Sequence, residues 1–416
     1  MLLKLNLTNL LYALSDALDM VESDMIGVQS SHGKHVAYLS YLMRKRLGLV
    51  DSELEDFTGC ALLHDNAFSE YASEEFYGGS AVDTRELRRR VELLNENDYI
   101  DFISGSTHSI AGEENIRLLP FSTDIRNIIL HHHENADGTG PMGRMSYETN
   151  FKSQIVHLAD TIDVTTNIMT ISEKEFNRMR YFIHKKGGTF FSRKSADLFL
   201  DTVTYDDILY LQEYSAEVIL RRHMPSKEKN YSDEQIKNIA AFFARIVDCK
   251  SSFVRNHSLG VAEKAERMSR YYGFSSDKCI RMYLAGALHD IGKLIIENDI
   301  LEKPDKLTEN EFARVKNHAY ATYQVLHKAE GLSDITEWAS NHHEKLNGSG
   351  YPLGLTADKL NFESRIMTCS DIYQALTETR PYKNAMTHGQ AIDVMRDMVR
   401  KNEIDGQIVE DMNKIL

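Results

Sequence analysis

The sequence predicts an all-α protein made of two tandem helical bundles, and three observations predict it. Apolar residues recur at the three- and four-residue spacing of amphipathic helices. Only six prolines interrupt the 416 residues, and no sustained alternation of period two marks out strands. Finally, one unusual string occurs twice. Residues 132–141 read His-His-Glu-Asn-Ala-Asp-Gly-Thr-Gly-Pro, and residues 342–352 read His-His-Glu-Lys-Leu-Asn-Gly-Ser-Gly-Tyr-Pro, with Tyr351 as the one added residue.

The helical spacing is clearest where Ile236, Ile239, Ala240, Phe243, Ile246 and Val247 fall on one face. Ser232 and Gln235 form a capping-box pair at its start. The polar, proline-containing run from Met224 to Tyr231 reads as a linker. It assigns residues 1–225 to a first domain, 226–231 to the linker and 232–416 to a second domain, each near the ordinary domain size of about 200 residues.

Composition narrows the function. The formal net charge of −14 disfavours grip on a DNA or RNA polymer, which needs clustered Lys and Arg, but leaves a small anionic substrate open. Cys60, Cys249, Cys279 and Cys369 include no Cys-x-x-Cys pair and read as reduced thiols. No apolar run approaches the ~18 residues needed to cross a bilayer. The first residues lack the ordered parts of a secretory leader, so the expectation is a cytoplasmic protein without membrane contact.

The repeat extends beyond the string. The second half holds His257, His289, Asp290, His318, His342, His343 and Asp371. The first holds His32, His64, Asp65, His108, His132, His133 and Asp160. First to second His spans 32 residues in both halves, and third His to the paired histidines spans 24 in both. The last step is 28 against 27, the difference being Tyr351. One segment differs: 29 residues in the second half against 44 in the first, an insertion of 15 after the first His-Asp pair.

Imidazole and carboxylate together suit Fe, Mn or Zn. Seven ligands exceed one tetrahedral ion and fit two divalent ions with the Asp of the His-Asp pair between them, an arrangement able to activate water and clamp a phosphoryl group. Lys293, four residues after His289, is expected on a similar helix face. Arg380 and Lys383 follow Asp371 by two to three expected helical turns. These cations would supply a phosphate-binding wall. Histidines outside the two sets, such as His35, His157, His184 and His388, read as structural. His131, which extends the first pair, is the closest to an exception.

The second half resembles the HD-GYP domains, a branch of the HD-domain metal-dependent phosphohydrolases. The resemblance rests on His257, His289-Asp290-Ile291-Gly292-Lys293, Lys303-Pro304-Asp305-Lys306-Leu307, His318, His342-His343-Glu344, Gly350-Tyr351-Pro352, Asp371 and Arg380-Pro381-Tyr382-Lys383. It implies two HD-type helical bundles and hydrolysis of cyclic di-GMP to pGpG or GMP. It also implies an iron or manganese centre held by His257, His289, Asp290, His318, His342, His343 and Asp371. Asp290 and Lys293 would act in catalysis, and Lys293, Tyr351, Arg380 and Lys383 would bind substrate. Members with a third metal carry Glu four residues before the first His. This chain has Phe253 there, which implies two ions.

The first half departs from that pattern. Phe68 stands where the Lys should be, the Tyr is absent, and no Arg-Pro-x-x-Lys follows Asp160. It reads as a degenerate copy with a candidate second metal site and a regulatory, structural or dimerising role, facing a second copy or a signalling protein. Two other readings stay open: a hydrolase of another nucleotide or phosphate ester, including cyclic GMP-AMP and pGpG, and a non-catalytic nucleotide-binding module.

Overall fold

The protein is described by a computed structural model covering residues 2–26, 31–48, 51–68, 106–224, 227–250, 256–301, 303, 305–379 and 384–416. The chain divides into two compact units. Among the described residues, one runs from Leu11 to Lys227, and the other gathers the residues up to Leu10 with Glu228–Leu416.

The start of the chain therefore does not pack as expected. Leu2–Leu5 forms a strand, β1, antiparallel to β2 at Lys229–Ser232, with Leu3 opposite Tyr231 and Leu5 opposite Lys229. Residues assigned to a linker thus hold a strand, and the first residues belong to the second unit. The period-two signal is present, since Leu3 and Leu5 are buried while Leu2 and Lys4 face out, but four residues are too few to read as a strand.

The second unit continues with the helix Asp233–Cys249, whose Ser232–Gln235 capping box forms as the sequence predicts. Its predicted face is the buried one: Ile236, Ile239, Ala240 and Phe243 have no accessible surface. Then come His257–Tyr271, Ser276–Leu288, a 3₁₀ turn at Ile291–Ile295, Glu309–His327, Ser333–Ser340, Phe362–Thr377, His388–Arg400 and Gly406–Ile415. The first unit contains Leu7–Ile26 in large part, His32–Lys45, Asp51–Leu62, Ser106–Ile116 and Phe151–Thr165. Four more helices between Glu173 and His223 are capped by Ser172, Ser192, Thr204 and Ser215. The four cysteines form no disulfide with one another. Among the described residues no helix is long and apolar enough to cross a membrane.

Two helix starts position candidate ligands. Asn256 and Ser31, just before His257 and His32, adopt positive φ and offer no side-chain cap. A carboxylate from the preceding helix caps each start instead. Asp248 accepts from Ser258 N at 3.2 Å and Ser258 Oγ at 2.6 Å, and Asp19 accepts from Gly33 N at 2.9 Å. The backbone N–H of the second residue is thereby satisfied in each helix, and the first, His257 or His32, is buried.

Candidate metal centre

In the second unit, ligand side chains from four helices and two turns converge. His257 opens its helix, His289 closes the helix Ser276–Leu288, and Asp290 precedes the 3₁₀ turn. His318 lies in Glu309–His327, His342 and His343 follow Ser333–Ser340, and Asp371 sits in Phe362–Thr377. All seven predicted positions come together, and each but His343 is buried.

Asp290 divides the cluster. Its Oδ2 lies 3.2 Å from His289 Nε2 and 3.9 Å from His257 Nε2. Its Oδ1 lies 3.4 Å from His318 Nε2 and 3.7 Å from His342 Nε2. Asp371 lies 3.2 Å from His257 Nε2 through Oδ1 and 3.9 Å from His343 Nδ1 through Oδ2. One carboxylate thus faces two histidine groups with its two oxygens, as a bridging ligand must.

The rings are oriented by their outer nitrogens. His289 Nδ1 donates to Gly286 O (2.7 Å), His318 Nδ1 to Val315 O (2.6 Å) and His342 Nδ1 to Ala339 O (2.6 Å). That fixes Nε2 as the lone-pair atom in each neutral ring. Burial pushes the His318 and His342 pKa values down, which favours the neutral form. Yet His318 Nε2 and His342 Nε2 face each other at 3.2 Å, while His289 Nε2 and Asp290 Oδ1 are buried without a hydrogen-bond partner. Lone pairs and a carboxylate pointed at one another fit a cation at their focus. Burial opposes the Asp290 charge, but the neighbouring histidines and Lys293 hold its carboxyl well below the usual range.

The surroundings correct two expectations. Lys293 does not share a helix with His289, because the chain turns into the 3₁₀ segment. Lys293 folds back to place Nζ 2.5 Å from Asp290 Oδ2, with its side chain 28% exposed. The helix carrying Asp371 ends at Thr377, so no helical face continues to Arg380. Arg380 and Lys383, like Phe253, lie outside the described residues. Tyr351 stands at the rim, its ring 4.6 Å from that of His343 and 6.2 Å from that of His318, and Lys316 Nζ lies 5.8 Å from the Tyr351 ring.

Two glycines make the geometry possible. A Cβ on Gly292 would meet His318 O at 2.1 Å, so only glycine lets the turn approach the helix carrying His318. A Cβ on Gly350 would meet Lys345 N at 2.4 Å. Glu344, the acid of the repeated string, faces away from the cluster. It accepts from Leu353 N (2.6 Å), Gly354 N (3.1 Å) and Leu355 N (2.8 Å), folding the turn that presents Tyr351. Glu134 does the same in the first unit with Met142 N and Arg144 N.

Sequence spacing missed one partner. His257 Nδ1 donates to Glu378 Oε2 at 2.9 Å, seven residues beyond Asp371. The first unit uses Asp163, three residues beyond Asp160, which binds His32 Nδ1 at 2.7 Å and His35 Nδ1 at 3.0 Å. His35 is thus a support for a predicted ligand. His388 bonds Tyr373 OH, and His157 packs between Phe190 and Phe191.

The seven first-half positions also converge, as two neighbouring groups: His32, His64 and Asp160, and Asp65, His108, His132 and His133. Phe68 is buried beside them, its ring centroid 6.0 Å from that of His108.

A helical bundle with a buried His/Asp cluster split by one carboxylate has the form of a metal-dependent phosphohydrolase. Residues 241–408 match the HD domain family. The 3'3'-cGAMP-specific phosphodiesterases 1 and 3 of Vibrio cholerae are 28% and 29% identical, across 97% and 94% of this chain and 90% of each relative. A probable cyclic di-GMP phosphodiesterase of the same organism is 41% identical over 140 residues, 32% of each chain. The crystal structure of the V. cholerae cyclic GMP-AMP phosphodiesterase V-cGAP3 matches 100% of this chain and 98% of its own, with TM-score 0.62 and 25% identity. Residues 241–408 thus carry an HD domain, in a chain similar over nearly its whole length to cyclic-dinucleotide phosphodiesterases.

Proposed function

We propose that the second unit hydrolyses one phosphodiester bond of a cyclic dinucleotide, with cyclic di-GMP as substrate. The observation that carries this is the focus of buried lone pairs around Asp290, with Lys293 held at its open side. His257, His289 and Asp371 would hold one divalent ion and His318, His342 and His343 a second, with Asp290 between them. Iron and manganese both suit this set. Bound there, the pair would supply charge neutralisation and an activated water.

The chain's own groups do the rest. Asp290 holds the Lys293 ammonium at the open side of the cluster, where it meets charge building on the phosphoryl oxygens. Tyr351 walls the mouth on the other side. Water adds its oxygen to phosphorus, the bond from phosphorus to O3' breaks, and the proton ends on O3', giving a linear dinucleotide with a 5' phosphate. The first unit serves a regulatory or structural role, because Phe68 removes the equivalent cation.

A second reading, 3'3'-cyclic GMP-AMP, is favoured by similarity running through both halves of the relatives named for that substrate. The test is to incubate the full chain, loaded with Mn²⁺ or anaerobically with Fe²⁺, with cyclic di-GMP, 3'3'-cyclic GMP-AMP and pGpG, and to separate the products. A linear dinucleotide from either cyclic substrate supports hydrolysis, and the ratio of kcat/KM values assigns the preference. Metal-replete protein that binds but turns over none of the three sinks the proposal.

A further inference from the structure

We propose that the first unit holds its own metal centre, which clamps that unit together. Such a clamp is independent of whether the second unit turns over a cyclic dinucleotide.

The ligand atoms are aimed for it. Asp65 Oδ1 lies 3.4 Å from His108 Nε2 and 3.3 Å from His132 Nε2, and its Oδ2 lies 3.5 Å from His64 Nε2. Asp160 Oδ1 lies 3.3 Å from His32 Nε2 and 3.7 Å from His64 Nε2, while its Oδ2 lies 3.7 Å from His133 Nδ1. His64 Nδ1 donates to Ala61 O (3.0 Å) and His132 Nδ1 to Ile129 O (2.5 Å), so both Nε2 atoms carry lone pairs directed inward. His64 Nε2, His132 Nε2 and Asp65 Oδ1 are buried and have no hydrogen-bond partner. Three buried polar atoms left without a partner destabilise a fold, and a cation at their focus relieves that cost. An outer support is in place as well: Asp163 orients His32 and is itself held by His35.

The two centres differ in which ligand is exposed. The His133 side chain is 4% exposed against 30% for its counterpart His343, while that of Asp65 is 14% exposed against 4% for Asp290. The buried Phe68 ring takes the place of Lys293. Imidazoles around two carboxylates suit divalent cations of the Mn, Fe or Zn class. The ligands come from five segments: the start of His32–Lys45, the end of Asp51–Leu62, the helix Ser106–Ile116, the turn at His132, and Phe151–Thr165. Bound ions would join all five, so their binding energy becomes folding energy of this unit.

The experiment uses the full chain with the second centre removed by His342→Ala and Asp371→Ala, which leaves the first unit untouched. Metal per chain is measured after gel filtration from Mn²⁺- or Zn²⁺-loaded protein, and thermal unfolding is followed with and without chelator. About half of the wild-type metal should remain, and chelation should lower a melting transition by several degrees. Adding His108→Gln and His132→Gln should abolish both the retained metal and the chelator effect. Co²⁺ in the second-centre variant should give tetrahedral or five-coordinate d–d absorption, and the added glutamines should remove it. A second-centre variant that shows helical circular dichroism but holds no Mn²⁺, Zn²⁺ or Co²⁺ overturns the proposal. So does metal that persists after the glutamine substitutions. Retained metal without any shift in melting overturns the clamp.

Discussion

Glu378 Oε2 lies 2.9 Å from His257 Nδ1, on the side of the ring turned away from the cluster. Gln374 Nε2 donates to the same oxygen at 3.1 Å, and Lys264 Nζ holds Gln374 Oε1 at 2.6 Å. The relay Lys264–Gln374–Glu378 fixes the rotation of His257 before any ion binds. Glu378→Gln keeps an acceptor in place but loses the charge that strengthens the ring as a donor. Metal affinity should fall about 10- to 100-fold. Competition with a chromophoric chelator measures it, and excess metal should restore turnover. Unchanged retention at limiting metal would leave Glu378 a purely structural residue.

In the proposed reaction Lys293 is the catalytic side chain outside the ligand set. Replacing it with Ala removes a cation aimed at charge that develops during the reaction, so kcat should fall about 10²- to 10³-fold. KM should change less, and metal content per chain should stay the same, because Lys293 contacts Asp290 from the open side. Steady-state kinetics and elemental analysis on one preparation check both parts. Equal loss of metal and activity would make Lys293 a support for Asp290 instead.

The mouth of the second centre carries an aromatic and a cation that spacing alone separates. Tyr351 covers His343, and Lys316, two residues before His318, lies beside the Tyr351 ring and 4.8 Å from the Phe312 ring. A flat, electron-rich base stacks well on such a surface, with stacking worth about 1–3 kcal/mol per base. Tyr351→Ala should therefore raise KM about tenfold, and Lys316→Ala should raise it by a smaller factor, with kcat less affected. Fluorescent cyclic-dinucleotide binding to metal-loaded protein gives an independent readout. If both variants bind as the wild type does, the base lies elsewhere.

The converging His and Asp positions were legible in the chain because they are sparse, distinctive residues whose spacings repeat. The helical faces and the cap at Ser232 were legible because period and capping are local signals. What escaped was set by contacts distant in sequence. The strand Leu2–Leu5 finds its partner more than 220 residues away. Asp163 and Glu378 reach equivalent histidines from different helical positions, so no shared spacing marks them. Their surroundings change together: His35, which binds Asp163, corresponds in spacing to Gly260, where a Cβ would collide with Gln374 at 2.4 Å. Gly292 and Thr322 show a similar exchange. Their counterparts in spacing are Ala67 and Gly112, so the glycine has moved from the turn to the helix that packs on it. Such reciprocal pairs are visible only once the elements are in contact.

The helix that delivers His318 depends on a local acid, and this gives a pH dependence of defined sign. Glu311 accepts from Lys303 Nζ at 2.7 Å and from Thr308 N at 2.7 Å, closing the capping box at the helix start. The Lys303 side chain and the Thr308 cap hold the Glu311 carboxyl down to about 2, below its ordinary 4.5. A carboxylate depressed in the folded state stabilises fully above its unfolded value and loses that contribution as pH falls through its folded value. Wild type should therefore melt above Glu311→Gln at pH 7, and the gap should begin to close below about pH 4.5. Because the pair is open to solvent, 0.5 M salt should shrink the part of the gap due to Lys303 and leave the part due to the Thr308 cap. Differential scanning calorimetry between pH 7 and pH 3.5 decides it. A gap that widens on acidification would reverse the sign and rule out Glu311 as the anionic cap of this helix.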